Sequence, residues 1–297
     1  MNILLTGATG LIGSALFHHF QLSGHKVYPL TRYPKGEHDV EWDPDYGQLN
    51  LTHLKGLDAV VHLAGESITG GLWTPKRKNK IFKSRVEGTR LLCNKLNELD
   101  RPPWVLLSAS GIHYYPFKGG GEFDELGPAG EGFLYEVCKS WEKMTELAGE
   151  KGIRVVNLRF SVVLSPKGGA LALMLPAFKY GLGGRLGLGQ QYISWIAIDD
   201  VVDIIDHCLL DDQFTGPVNV CAPESVTNTD FTRILGDILR RPTILPVPEI
   251  VVKTLFGQMG RETLLADFRI VPQKLLEGNY TFKYPSLQSA LSHLLDR

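Results

Sequence analysis

The sequence predicts an α/β fold: a doubly wound, mostly parallel sheet with a small mixed C-terminal lobe. Three observations predict it. Residues 1–13, MNILLTGATGLIG, read as a strand running through a glycine turn into a helix. Short apolar runs then alternate with stretches of helical spacing as far as about residue 165. Past that point two glycine clusters, within 168–169 and 181–189, break the alternation. The expected division is residues 1–165 plus 199–222 for the sheet domain and 166–198 plus 223–297 for the lobe.

Composition fits a globular chain of 297 residues with 43% apolar and 21% charged residues. A net charge of −1 gives no overall pull toward nucleic acid or an anionic membrane. No apolar run approaches the roughly 18 residues of a membrane span. The chain opens on a core strand, which leaves no room for a signal peptide, so a cytoplasmic location is expected. Cys93, Cys138, Cys208 and Cys221 are scattered, without metal-ligand spacing, and read as reduced thiols. No metal is expected.

In the opening turn, Gly7 lets the chain leave the strand sharply. Gly10 brings backbone N–H groups near a pyrophosphate, and Gly13 lets the helix sit tightly on the strand. The helix start around Thr9, Leu11 and Ile12 then offers free N–H donors to an anion. A glycine turn in some other α/β protein is the plain alternative. The strand before it and the helix after it favour a dinucleotide.

Residues 26–30 (KVYPL) read as the second strand. An NAD-type site places an acid at its end for the ribose 2′-hydroxyl. Here the chain reads Thr31, Arg32, Tyr33, Pro34, Lys35, with no acid before Glu37. Arg32 offers a fork that fits a phosphate and Lys35 adds charge, so NADP is favoured over NAD. Residues 57–65 form a buried strand entering a small-residue turn, where Leu63, Ala64 and Gly65 would lie along the cofactor. His62, inside that apolar run, reads as a satisfied core histidine. The basic run of residues 76–85 reads as a solvated helix face.

The G-x-x-G-x-x-G spacing resembles the short-chain dehydrogenase/reductase superfamily, in its extended, sugar-nucleotide-epimerase-like branch. That resemblance implies a Rossmann-type fold and runs over nearly the whole chain. Residues 85–92 (RVEGTRLL) resemble a helix of that branch, whose members usually carry Asn at the position of Arg85. The strand at 104–107 ends in Ser108, Ala109, Ser110 and Gly111, at the sheet edge where such folds place ligands. The resemblance makes Ser110 the catalytic serine and leaves Ser108 a mainly structural place on the cofactor side. Gly111 and Ile112 stand where dehydratases carry acids, which argues against dehydration.

Tyr135 and Lys139 lie four residues apart in a helical stretch, so they share a face. The resemblance makes Tyr135 the acid/base and Lys139 the residue that tunes it and holds the nicotinamide ribose. A phenol normally titrates near about 10, and neighbouring positive charge lowers it. Tyr114 and Lys118 repeat the spacing, but Pro116 and the glycines at 119–121 rule out a helix there. Residues 153–158 form a further strand. Val162 stands where sugar-nucleotide enzymes usually carry Asn, so nucleotide-sugar binding is not carried over.

Residues 174–200 resemble a subfamily called NADP-dependent epimerase family proteins, of uncertain substrate. Arg185, Gln191, Tyr192 and Trp195 are the candidate substrate contacts in that glycine-rich stretch, against the alternative of a structural loop with Trp195 in the core. A helix is expected from about Asn228, capped by Asn228 or Thr229. The resemblance leaves two readings open: an NADP-dependent oxidoreductase or epimerase acting on a small molecule, or a non-catalytic NADP-binding regulator, as relatives connected with cell or plastid division imply. A monomer or homodimer is expected.

Overall fold

The computed structural model describes every residue except His53, Lys55, Gly120 and Arg297. The sheet grows outward from β1 (Asn2–Thr6), whose Ile3, Leu4 and Leu5 are fully buried. After α1 (Leu11–Leu22) the chain lays β2 (Lys26–Thr31) beside β1, then β3 (Val40–Asp43) and a short antiparallel β4 (Gln48–Leu49). It then crosses back. β5 (Ala59–His62) lies on the other side of β1, followed by α2 (Pro75–Asn97) and β6 (Val105–Gly111). The short β7 (Glu122–Phe123) leads to α3 (Phe133–Gly149) and β8 (Arg154–Phe160).

The next residues leave the sheet through β9 (Val162–Leu164), α4 (Gly169–Lys179), β10 (Tyr192–Ile193) and β11 (Trp195–Ala197). They return through α5 (Ile198–Leu210) and β12 (Gly216–Val220), which closes the sheet beside β8. The strand order is β12-β8-β6-β5-β1-β2-β3-β4. The order reverses between β1 and β5, and parallel sheets open a ligand crevice there, beyond the carboxyl ends. The expected doubly wound sheet is present, with helices on both faces. α1 and α5 cover one side through Leu16, Phe20, Ile204 and Ile205. α2 and α3 cover the other through Leu92, Leu96 and Ala148.

The lobe is built from β13 (Val226–Thr227), α6 (Asn228–Leu239), α7 (Glu249–Glu262), β14 (Arg269–Ile270), α8 (Gln273–Glu277) and α9 (Leu287–Leu294), together with the α4–β11 excursion. Its core gathers Trp195, Leu171, Phe231 and Leu291. α6 is capped one residue earlier than expected: the Thr227 hydroxyl accepts from the Asp230 N–H at 3.1 Å. The Asn228 side chain is used elsewhere, accepting from the Leu186 N–H at 2.7 Å. The stretch 269–283 returns to the main domain. β14 pairs with β7, Leu275 joins the main core, and the Lys283 and Tyr284 N–H groups are held by the buried Asp200 carboxylate.

Candidate active site

The crevice begins at the glycine turn. Gly7 has φ 70°, and a Cβ at Gly13 would lie 2.1 Å from the Gly7 carbonyl oxygen, so only glycine lets α1 approach β1 this closely. α1 starts at Gly10 without a side-chain cap, which leaves its first N–H groups for a ligand. The turn is braced from behind. The Thr6 hydroxyl accepts the N–H groups of Leu63 and Ala64, each at 3.0 Å. Its hydrogen must then go to Nδ1 of His62 at 2.8 Å, which leaves Nε2–H to donate to Thr89 at 2.9 Å. Burial, then the charge of Arg85, pushes His62 down to about 3. It is a neutral core histidine, as expected.

A groove of about 870 Å³ runs from Gly7 and Thr9 past Thr31, Arg32 and Lys35, with Ala64 and Gly65 on its other wall. The acid of an NAD-type site is absent from the end of β2, as the sequence reads. Asp39, on the same wall, is occupied by the N–H groups of Lys35 and Gly36, at 2.8 and 2.9 Å. Lys76, Lys80 and Lys83 of the basic run also line this groove, so that run is part of the wall as well as a solvated helix face. A second cavity of about 980 Å³ continues from Thr9, Gly10 and Leu11 toward Gly168 and Gly169. Ile12 packs against the core and Leu63 is half-buried. A dinucleotide with an extra phosphate fits this chemistry: free helix N–H groups at the turn, and cations at the far end.

The end of β6 is organised by a carboxylate that the sequence does not single out. The Ser110 hydroxyl donates to Glu142 Oε1 at 2.6 Å. Glu142 is gripped at both oxygens by Arg159, from Nε and Nη2, each at 2.8 Å. Arg159 Nη1 donates to the Tyr115 hydroxyl at 2.8 Å, which donates to Asn219 at 2.8 Å. Burial would lower Arg159; the bonds and charge of Glu142 outweigh it, and the guanidinium is held more firmly protonated than usual. Ser108 lies on the same face of β6 one pleat deeper and is fully buried, so it does not reach the crevice. That corrects its expected place beside the cofactor.

Tyr135 and Lys139 are neighbours on α3, as the spacing predicts, with Lys139 Nζ 5.5 Å from the Tyr135 ring centre. Tyr135 is half-buried and packs edge-on against Tyr114, and Lys139 is exposed. Among the described residues no hydrogen bond joins Ser110 to Tyr135, or Tyr135 to Lys139. The side chains α3 turns toward the sheet are Leu134, Val137, Cys138 and Trp141. Cys138 lies against Gly111, and burial pushes its thiol up to about 12.

Residues 3–221 match the NAD dependent epimerase/dehydratase family. The chain belongs to that family. Residues 247–294 match a domain of unknown function, DUF1731. The human epimerase family protein SDR39U1 is 36% identical over 99% of this chain and 100% of its own length. The chloroplastic SDR39U1 homologue of Arabidopsis thaliana is 35% identical over 99% of this chain and 87% of its own. A crystal structure of human SDR39U1 with NADPH superposes with a TM-score of 0.92, at 34% identity and full coverage of both chains. UDP-glucuronic acid 4-epimerase from Bacillus cereus, solved with NAD, shares the fold at a TM-score of 0.78 and 17% identity, covering 100% of this chain and 98% of its own. Among the described residues no helix is long and apolar enough to cross a membrane.

Within this epimerase-family frame, the four candidate substrate contacts are not brought together with Ser110. Trp195 is 0% exposed in the lobe core, beside Leu164 and Phe231, and does not face a ligand. The structural alternative holds for it, because β11 pairs with β9 and turns the indole inward. Arg185 is exposed beside Thr229 and Arg233 on a small hollow of the lobe. Gln191 spends its amide on the Leu186 carbonyl at 3.3 Å. Tyr192 stands under Arg269, whose guanidinium lies 5.2 Å from its ring. The lobe meets α3 instead through Glu262, 4% exposed, which accepts the Phe133 and Leu134 N–H groups at 3.2 and 2.9 Å. Glu262 thus caps the helix that carries Tyr135. No local pattern announces a cap supplied from so far along the chain.

Proposed function

We propose that the chain is an NADP-dependent oxidoreductase or epimerase acting at a carbonyl or hydroxyl carbon of a small molecule. One arrangement supports the reading above others. Ser110 stands at the carboxyl end of β6 with its hydrogen given to Glu142, and Tyr135 lies two helical turns before Glu142 on the same side of α3. The nicotinamide, when bound, supplies or accepts the hydride. Ser110 then offers lone pairs to the substrate hydroxyl. Tyr135 moves the proton, with the Lys139 ammonium beside its ring. Arg32, Lys35 and the lysines of α2 hold the 2′-phosphate of NADP. The NADPH found in the human relative agrees with that preference.

The test has two parts. Calorimetry is expected to give tighter binding of NADPH than NADH. Hydride exchange between labelled NADPH and a panel of carbonyl compounds is expected to fall at least about 100-fold in Tyr135→Phe, with NADPH affinity unchanged. An unchanged rate removes Tyr135 from the chemistry.

One observation favours a second reading, a non-catalytic NADP-binding regulator. Lys139 lies over the face of the Tyr135 ring and makes no bond to its oxygen. Tight NADPH binding with no exchange toward any carbonyl compound would decide for the regulator.

A further inference from the structure

Arg85 projects from α2 to Gly65 and Glu66, two residues that line the groove. Its guanidinium lies flat against Gly65: a Cβ there would meet Cζ at 3.0 Å and Nη1 and Nη2 each at 3.2 Å. Cζ also stands 5.1 Å from the centre of the Trp141 ring. Nη1 donates to the carbonyl oxygens of Glu66 at 2.9 Å and Ile81 at 3.2 Å, which uses both its hydrogens. Nε and Nη2 find no acceptor among the described residues, and neither is sealed from solvent. Together they form one of the two forks of a guanidinium, a match for the two oxygens of a carboxylate.

The Glu66 charge favours the protonated guanidinium from nearby, but among the described residues no carboxylate bonds to it. The Glu66 carboxylate is taken by Arg77 at 2.6 Å and Lys80 at 3.0 Å. Glu142 is taken by Arg159 and Ser110. His62 and His113 are neutral, pushed down to about 3 and about 4 by burial and then by Arg85 itself. The Cys138 thiol stays protonated. Burial lowers Arg85 to about 10, which still leaves it charged at neutral pH. The charge of Arg85 reaches Cys138 and His113, and Cys138 lies against Gly111 at the end of β6, the residue after Ser110.

We propose that the Nε–Nη2 edge of Arg85 receives a carboxylate of the substrate, so that the chain acts on small oxo or hydroxy acids rather than on neutral carbonyl compounds. The proposal rests on the reading of the groove as a hydride-transfer site. It assigns Arg85 the selection of the anionic end, while Ser110 and Tyr135 handle the reacting oxygen. An oxygen of the nicotinamide half is the other group of the right chemistry to reach this edge, and the experiment separates the two.

Calorimetry on the NADP⁺-saturated protein would compare oxamate, a carboxylate shaped like a short oxo acid, with oxamide, its neutral counterpart. Wild type is expected to bind oxamate and not oxamide. Arg85→Gln is expected to weaken oxamate at least about tenfold and to leave NADPH affinity within about threefold, and Arg85→Lys to recover part of the loss. Equal binding of oxamate and oxamide, or of neither, overturns the proposal while tight NADPH binding preserves the cofactor reading. Weakened NADPH with oxamate unchanged gives the edge to the cofactor and also overturns it. Failure of wild type to bind NADPH sinks the functional reading and this proposal with it. The wild-type comparison needs no variant, so it stands even if Arg85→Gln fails to fold.

Discussion

Two guanidiniums lie beneath the crevice, and they are treated in opposite ways. Arg159 stacks 3.6 Å from the centre of the Tyr114 ring, and its three nitrogens are spent on Glu142 and Tyr115. Arg85 lies over Trp141 and, among the described residues, has two carbonyl acceptors and a free fork. The chemistry follows the partners: Arg159 is held charged more firmly than usual, while burial brings Arg85 down to about 10. A buried cation persists when a carboxylate satisfies it or when an open edge keeps it in touch with solvent or ligand. Arg159 takes the first course and fixes the wall that holds Ser110. Arg85 takes the second and keeps bonding capacity in hand.

The largest effect expected from this contrast falls on Glu142. Glu142→Gln strands Arg159, only 3% exposed, without a counter-charge. Urea unfolding should show a loss of about 3–5 kcal/mol. Adding Arg159→Met should return much of that, because the stranded charge is then gone. A loss under about 1 kcal/mol for Glu142→Gln would reduce the pair to an ordinary surface contact and end the contrast.

Arg85→Gln should behave differently. It gives up two bonds to carbonyls and a contact with Trp141, and it removes a cation that among the described residues no carboxylate bonds directly. The net change should lie within about 1 kcal/mol of wild type by the same urea titration. A loss as large as that of Glu142→Gln would make Arg85 a second structural rivet and weaken its assignment to a ligand.

How far the sequence anticipates these roles depends on how far apart the partners lie. The strand, glycine turn and helix of residues 2–22 are written locally, in apolar periodicity and in Gly7 and Gly13, and they appear as expected. The exchange of the branch's usual Asn for Arg85 is also visible in the letters. The free fork is not, because it depends on α2, the loop at Gly65 and Glu66, and Trp141 of α3 meeting in space. Glu142 escaped notice although it lies seven residues after Tyr135 on one side of α3; its meaning comes from Arg159, which the sheet topology delivers. Glu262 is hidden more deeply, since a lobe residue caps the helix of another layer. Trp195 shows the reverse error. An aromatic that follows a glycine-rich stretch looks like a ligand contact until strand pairing turns it into the lobe core.

The smallest expected effect tests how far the charge of Arg85 reaches. His62 and His113 titrate well below the ordinary value of 6.5 in the folded chain, at about 3 and about 4. Between those values and about 6.5 the unfolded chain binds protons that the folded chain refuses. Their contribution to stability is therefore complete above about pH 6.5 and is lost as the pH falls through that window. The loss is about 1.4 kcal/mol per pH unit for fully buried His62. Burial is the larger cause at both histidines and the charge of Arg85 the second. Arg85→Gln removes only the second, so both folded values rise and the window narrows from its acid end. The fall in urea midpoint between pH 6.5 and pH 4 should then be smaller in the variant than in wild type. An equal fall in both would mean that solvent at the free edge already screens the guanidinium from its neighbours, and the open fork would then be wetter than its place against Gly65 implies.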